Sequence, residues 1–181
     1  MCQSRRGSTQ FAPFFGRCWT DFICWNLPLD YIRRTPGSND AGEIDVAALI
    51  HWIKEVRAQL ADLSRGEIGD QCIGQLLGRC QPGKDGIWPH EAVRLALESV
   101  GTEQISRGME LGVYNSRGVV YRGHGGDQER ALESKYRAWA DALAPKHPFT
   151  SRMLNCIADG YRRDAEWHDT DDNVRKRLGH A

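Results

Sequence analysis

The sequence predicts a mainly α-helical bundle of five or six helices, with one small β-hairpin before the fifth helix. Three observations favour this fold class. Apolar residues recur at spacings of three and four over most of the chain from residue 41 onward. Capping residues and prolines stand where these periodic stretches begin, and turn-forming residues separate them. The composition, with 40% hydrophobic and 27% charged residues among 181, is that of an ordinary globular protein.

The limits of the helices follow from these patterns. Six helices are expected, at residues 44–63, 65–79, 89–101 and 102–111, from Asp127 to the prolines at 145 and 148, and from Thr150 onward. Gly69 and Gly74 weaken the second helix, because each costs about 1 kcal/mol relative to alanine in a helix interior. A break in the last helix is expected at the acidic stretch 169–172.

The β-hairpin is predicted between the fourth and fifth helices. Val113-Tyr114 and Val119-Val120-Tyr121 are short strand-forming runs, and the polar turn at residues 115–118 separates them. An isolated hairpin is only marginally stable in water. We therefore expect this hairpin to pack on the helices.

The sequence pattern of residues 1–40 differs from that of the rest of the chain. Residues 1–40 show neither helical periodicity nor strand alternation, and they end in a run of turn-forming residues. We expect them to form an irregular or disordered leader, with an aromatic docking arm as the alternative, and residues 41–181 to form the helical domain. The regular region has no methionine before Met109. This favours a truncated C-terminal part of a longer ancestral protein with an accidental leader.

The charge balance excludes several classes of function. The chain has 24 basic and 24 acidic residues and no formal net charge, unlike a histone-like nucleic-acid binder. Basic clusters at residues 162–163 and 175–177 are interspersed with acids, which favours an exposed helix carrying ion pairs over a phosphate contact. No apolar run is long enough for a membrane span and no export signal is evident. We therefore expect a cytoplasmic protein with no membrane partner.

The spacing of histidines and cysteines predicts no metal, no cofactor and no catalytic group. The closest cysteine pairs have five and seven intervening residues, whereas structural zinc needs two close pairs. No nucleophile elbow of the form Gly-x-Ser-x-Gly occurs. Cys72, Cys80 and Cys156 are interpreted as buried small hydrophobes. An enzyme acting through His124 and neighbouring carboxylates is the least favoured function.

The stretch from Arg122 to Arg130 carries the candidate anion site. Three glycines precede a predicted helix, and such a junction can present backbone N–H groups and the positive end of the helix dipole to an anion. The predicted anion-binding residues are Arg117, Arg122, His124, Gly125 and Gly126. In the opposing interpretation the glycines only permit a sharp turn, and Asp127 caps the helix itself. The structural interpretation is favoured, because neither a Walker A loop nor a dinucleotide fingerprint is present.

In four stretches the chain resembles the C-terminal regions of large uncharacterised bacterial proteins. These stretches are residues 67–71, 87–89, 112–118 and 125–130. The resemblance would cover residues 44–178, and it implies no activity and no catalytic residue. The favoured function is a non-catalytic accessory or protein-interaction domain, with tryptophans as core and interface anchors. The alternative is a phosphate or nucleic-acid contact module that uses the glycine-rich junction.

Overall fold

The computed structural model describes residues 35–39, 41–117 and 125–179, and this part of the chain folds into six α-helices. These are α1 (Val46–Asp62), α2 (Gly66–Leu77), α3 (Glu91–Val100), α4 (Glu103–Ser116), α5 (Asp127–Leu143) and α6 (Pro148–Arg177). The prediction of a mainly helical fold is confirmed. α1 and α3 begin and end within two residues of the predicted limits, because their apolar stripes and caps are unambiguous.

Most of the predicted leader lies outside the described residues. Residues 35–39 form a turn that lies against the start of α1, where Ser38 and Ile44 form an isolated antiparallel bridge. The Asp45 amide donates to the Gly37 carbonyl oxygen at 3.0 Å, and the Asp45 side chain accepts from two amides in the first turn of α1. The boundary at residues 40 and 41 stays a prediction.

The predicted β-hairpin is wrong where the structure describes its residues, because α4 continues through the first strand. The helix runs to Ser116, so Val113 and Tyr114 are helical. Val113 is buried and continues the four-residue spacing of Ile105 and Met109 on the face that meets the core. This packing outweighs the strand preference of a β-branched residue. The second predicted strand lies outside the described residues.

The last helix has no break. α6 is continuous over 30 residues, including the acidic stretch 169–172. Asp171 pairs with Arg175 at 2.9 Å and Asp172 pairs with Lys176 at 2.7 Å, each one turn further along the same helix. Such pairs at a spacing of four stabilise an exposed helix. They explain why the acidic stretch remains helical.

α2 and α4 cross closely because glycines line the contact. A Cβ atom added to Gly74 would lie 2.1 Å from the Ile105 carbonyl oxygen. One added to Gly108 would lie 2.1 Å from the Gln71 carbonyl oxygen, and Gly112 extends the contact by one turn. The separation of two packed helices depends on the side chains between them. Gly74 is expected from the sequence to weaken α2, but in the structure it permits this close crossing.

One hydrophobic cluster contains residues from all six helices. Its largest fully buried apolar side chains are those of Leu49, Ile53, Leu60, Leu77, Leu97, Ile105, Met109, Met153 and Leu154. Cys80 is buried, as predicted, but Cys72 is only partly buried and Cys156 is exposed. The interpretation of Cys156 as a core residue is wrong, because the face of α6 that carries it points away from the cluster.

The N-terminus of α6 is capped by a residue from another helix. The Glu98 carboxylate of α3 accepts hydrogen bonds from the Phe149 amide at 3.1 Å and from the Thr150 amide and hydroxyl at 2.9 Å each. Thr150, the expected N-cap, lies instead in the first turn, because the helix begins at Pro148. Glu98 therefore joins α3 to the positive end of α6.

Glu98→Ala is expected to lower the free energy of unfolding by about 1–2 kcal/mol, because it leaves two amides of the first turn of α6 without their acceptor. Urea denaturation followed by far-UV circular dichroism measures this loss. Glu55→Ala is the matched control, since Glu55 forms an exposed pair with His51 on α1. Its effect should stay within about 0.5 kcal/mol. Equal losses in the two variants would contradict the capping role.

Candidate functional site

The glycine-rich junction at the start of α5 contains two of the predicted anion-binding residues and a carboxylate from α6. Gly126 is the N-cap of α5, and its amide donates to Oδ1 of Asp169 at 2.9 Å. Gly125 has a φ of +72°, a conformation that favours glycine. A Cβ atom on Gly126 would lie 2.5 Å from the Ala165 carbonyl oxygen. The glycines thus allow α5 to begin in contact with α6.

Arg130 contacts the same carboxylate. One terminal nitrogen lies 2.6 Å from Oδ2 of Asp169 and the other lies 2.6 Å from Oδ1 of Asp127. Asp127, the expected N-cap, is the first residue of α5 and pairs with Arg130 instead. The Arg130 guanidinium, together with the Gly126 amide, holds the pKa of Asp169 below its usual range. Asp169 therefore stays ionised where an external anion would approach the helix N-terminus.

Arg117 is the third residue of the predicted site that the structure describes. It is the C-cap of α4, and both its terminal nitrogens lie 3.4 Å from Oε1 of Glu129, a fully buried residue of α5. Its guanidinium carbon also lies 5.4 Å from the centroid of the Tyr161 ring, within the range of a cation–π contact. Arg122 and His124 lie outside the described residues. A phosphate at Arg117 would compete with Glu129.

A groove between α4 and α6 is a second candidate site, and it has no counterpart among the sequence predictions. Two adjoining cavities form it, with volumes of ≈ 370 Å³ and ≈ 480 Å³. Both are lined by Arg107, Glu110 and Cys156. The whole of α5 separates its two walls in the sequence. No local pattern could therefore place them together.

α4 supplies the wall of the groove that carries exposed apolar side chains. Leu111 and Tyr114 line it, and each is about half exposed. Glu110 lies beside them and is half-buried. Burial raises the pKa of its carboxyl, although the Ser106 hydroxyl donates to it at 3.2 Å. An exposed apolar surface of this kind, with polar groups around it, is typical of an interaction site.

α6 supplies the wall that carries two arginines, with Asp164 beside them. Arg152 and Arg163 are eleven residues apart, which is three helical turns, so they share one face and lie about 16 Å apart along the axis. Arg152 lies over the Phe149 ring at 5.3 Å. Neither arginine forms an ion pair with a described residue. The sequence indicates the state of Arg152 in one respect. No acidic residue lies three or four positions away from Arg152, where an ion pair within the helix would form.

The cysteine in the groove does not have the environment of a nucleophile. Partial desolvation of its thiol by the groove walls, with the nearby Glu110 carboxylate, raises the pKa of Cys156. A reactive cysteine instead has a lowered pKa, because the thiolate is the nucleophile. Among the described residues, no three His, Cys, Asp or Glu side chains are grouped so that they could hold a metal ion.

The fold and the groove define a helical-bundle protein with a surface groove that is lined by apolar side chains and by charged ones of both signs. No protein-family model, curated protein or solved structure matches the chain. Within residues 35–39, 41–117 and 125–179, no helix is both long enough and apolar enough to cross a membrane.

Proposed function

We propose that this chain is a non-catalytic protein-interaction domain that binds an acidic amphipathic helix of a partner protein in the α4–α6 groove. The proposal rests on one observation: the groove has exposed apolar side chains on the α4 wall and two arginines on the α6 wall. Leu111 and Tyr114 offer apolar contact on α4, and Arg152 and Arg163 on α6 form no ion pair with a described residue. A helix in such a groove buries its apolar face and pairs its acidic flank with the arginines.

The dimensions of the groove define the expected partner segment. The arginines are about 16 Å apart, so a helix of at least three turns is needed to reach both. Aromatic and arginine side chains contribute most of the binding free energy in protein interfaces. We therefore expect Tyr114, Arg152 and Arg163 to contribute more to affinity than the other groove residues.

The contacts at the junction favour this proposal over the alternative phosphate or nucleic-acid contact module. The Gly126 amide and Arg130 bind Asp169, and Arg117 pairs with Glu129. A phosphate placed there would meet two carboxylates, which would repel it. A cytoplasmic location and an origin within a larger bacterial protein remain predictions from the sequence.

Selection of a randomised helical-peptide library on the full chain tests the proposal. We expect the enriched peptides to carry acidic residues beside an apolar stripe. Their affinity should fall at least about tenfold in Tyr114→Glu and in Arg163→Glu, because each change removes an anchor and adds a negative charge beside the bound carboxylates. Fluorescence anisotropy of a labelled peptide measures the dissociation constants.

A matched control and a competing ligand make the test decisive. Leu95 is about half exposed on α3 and lies outside the groove, so Leu95→Glu should change the affinity less than about twofold. An equal loss in Leu95→Glu, or no enrichment, would contradict the proposal. A single-stranded oligonucleotide titrated at low salt tests the alternative. Binding that falls steeply with salt and is lost in Arg122→Ala would support the anion site instead.

A further inference from the structure

The last turns of α6 extend beyond the core and expose an apolar surface. Ala165 is the last buried residue of α6. After it, Trp167 is 63% exposed, Val174 47% and Leu178 66%. The spacings of seven and four residues place these three side chains on one face of the helix. We name this face the C-terminal stripe.

Contacts on the opposite face hold this extension to the body of the protein. Asp169 lies two residues after Trp167, about 200° around the helix. Its carboxylate binds the Gly126 amide at 2.9 Å and Arg130 at 2.6 Å. The extension is thus fixed through Asp169, and the C-terminal stripe faces away from α5. A surface ordered in this way loses less conformational entropy when it binds a partner.

The charges on the same turns are segregated along the helix. An acidic block comes first, and a basic block follows: Asp164, Glu166, Asp169, Asp171 and Asp172, then Arg175, Lys176 and Arg177. Two copies of this helix side by side in the same direction would place like charges together. In opposite directions about a twofold axis perpendicular to the helices, the acidic block of each copy faces the basic block of the other.

We propose that the C-terminal stripe is a homodimer interface in which the α6 helices of two copies pair antiparallel. A twofold axis near residues 172 and 173 places Trp167 of each copy opposite Leu178 of the other. The intrahelical pair of Asp171 with Arg175, which lies beside the stripe, then gains oppositely charged neighbours across the interface. This surface is separate from the α4–α6 groove, and its occupant is a second copy of the chain.

The size of the interface sets the concentration at which it forms. Residues 164–177 span about 21 Å of helix, so the interface falls at the small end of specific interfaces. Sedimentation velocity on the full chain is expected to show the average mass rising from one chain toward two between about 1 μM and about 1 mM. Added salt should shift the equilibrium toward the monomer. A constant single-chain mass, or association that strengthens with salt, would overturn the antiparallel dimer.

Charge reversal tests the pairing directly. One variant is Asp171→Lys, and the other is Arg175→Glu. Each alone should need at least about tenfold higher concentration to dimerise, because like charges now face each other. An equimolar mixture should dimerise again. A mixture that stays monomeric, while far-UV circular dichroism shows both variants folded, would overturn the proposal.

A substitution of an apolar residue in the stripe tests the dimer even if the charge reversals unfold the end of α6. Trp167→Ser leaves every ion pair of α6 in place and should shift the dimerisation midpoint at least about tenfold higher. Ile68→Ser is its matched control, because Ile68 is 56% exposed on α2, far from α6 in the sequence. Dimerisation that is unchanged in Trp167→Ser would show that another surface, or none, joins the copies.

Discussion

Gly74→Ala and Gly108→Ala are each expected to lower the free energy of unfolding by about 3 kcal/mol, near the upper end for overpacking. The atoms that an added Cβ would meet are backbone carbonyl oxygens at 2.1 Å, which no side-chain rotation can move away. The higher helix propensity of alanine offsets only about 1 kcal/mol. The helices α2 and α4 must therefore separate to accept either methyl group.

The double variant gives a second expected result. Both methyl groups would occupy the same gap between α2 and α4. Once one of them has separated the helices, the other meets less resistance. The loss in the double variant should therefore be smaller than the sum of the single losses, as is usual for residues that share a contact.

A third glycine serves as the control for this crossing. Gly160 lies inside α6, and the nearest atom to an added Cβ would be a terminal nitrogen of Arg163 at 3.9 Å. Gly160→Ala should therefore raise the free energy of unfolding by about 0.5–1 kcal/mol. Urea denaturation of the three single variants measures the contrast. A gain of the same size in Gly108→Ala would show that the helices are not in close contact.

Asp85→Asn is expected to cost about 2–3 kcal/mol near neutral pH, because it leaves the buried guanidinium of Arg94 without its carboxylate. Arg94 is 2% exposed. Its terminal nitrogens lie 2.6 Å and 2.9 Å from the two oxygens of Asp85, and its Nε donates to the Pro89 carbonyl oxygen at 2.6 Å. This guanidinium holds together the loop between α2 and α3.

The same pair predicts a pH dependence of stability. The Arg94 guanidinium lowers the pKa of Asp85 to about 2 in the folded protein. In the unfolded chain an aspartate titrates near about 3.9. The contribution of the pair is therefore complete above about pH 4 and is lost as the pH falls toward about 2.

Denaturation of the wild type and of Asp85→Asn across this range measures the effect. The difference between their free energies of unfolding should shrink from about pH 4 to about pH 2. Glu166→Gln is the control, because Glu166 forms an exposed pair with Arg162 at 2.9 Å. It should change the stability by less than about 0.5 kcal/mol. A difference for Asp85→Asn that stays constant over the whole range would contradict the account of Arg94.

The sequence carried the information for most helices, because each is specified by its own apolar period and caps. The hairpin prediction failed because the state of Val113 depends on packing against the core, which local strand preference does not include. The close crossing of α2 and α4 is indicated by the spacing of their glycines. Gly74 on α2 and its C-cap Gly78, and Gly108 and Gly112 on α4, are each four residues apart and so share a helix face.

The candidate sites depend on contacts between distant parts of the chain. The glycines at 125 and 126 are visible in the sequence, but their partner Asp169 is more than forty residues away and only the fold places it there. The α4–α6 groove likewise requires two helices with α5 between them. Periodicity identifies which face of a helix is apolar, yet it does not say which other helix lies beside that face.

Amide chemical-shift mapping by NMR tests the central claim, that the α4–α6 groove is the docking site. A peptide from the library selection is titrated into the isotope-labelled full chain, and the residues whose amide signals move are identified. We expect shifts in residues 107–114 and 152–163, on both walls of the groove. Shifts confined to residues 125–130 or to residues 167–178 would contradict it, because they would place the ligand at the junction or on the C-terminal stripe.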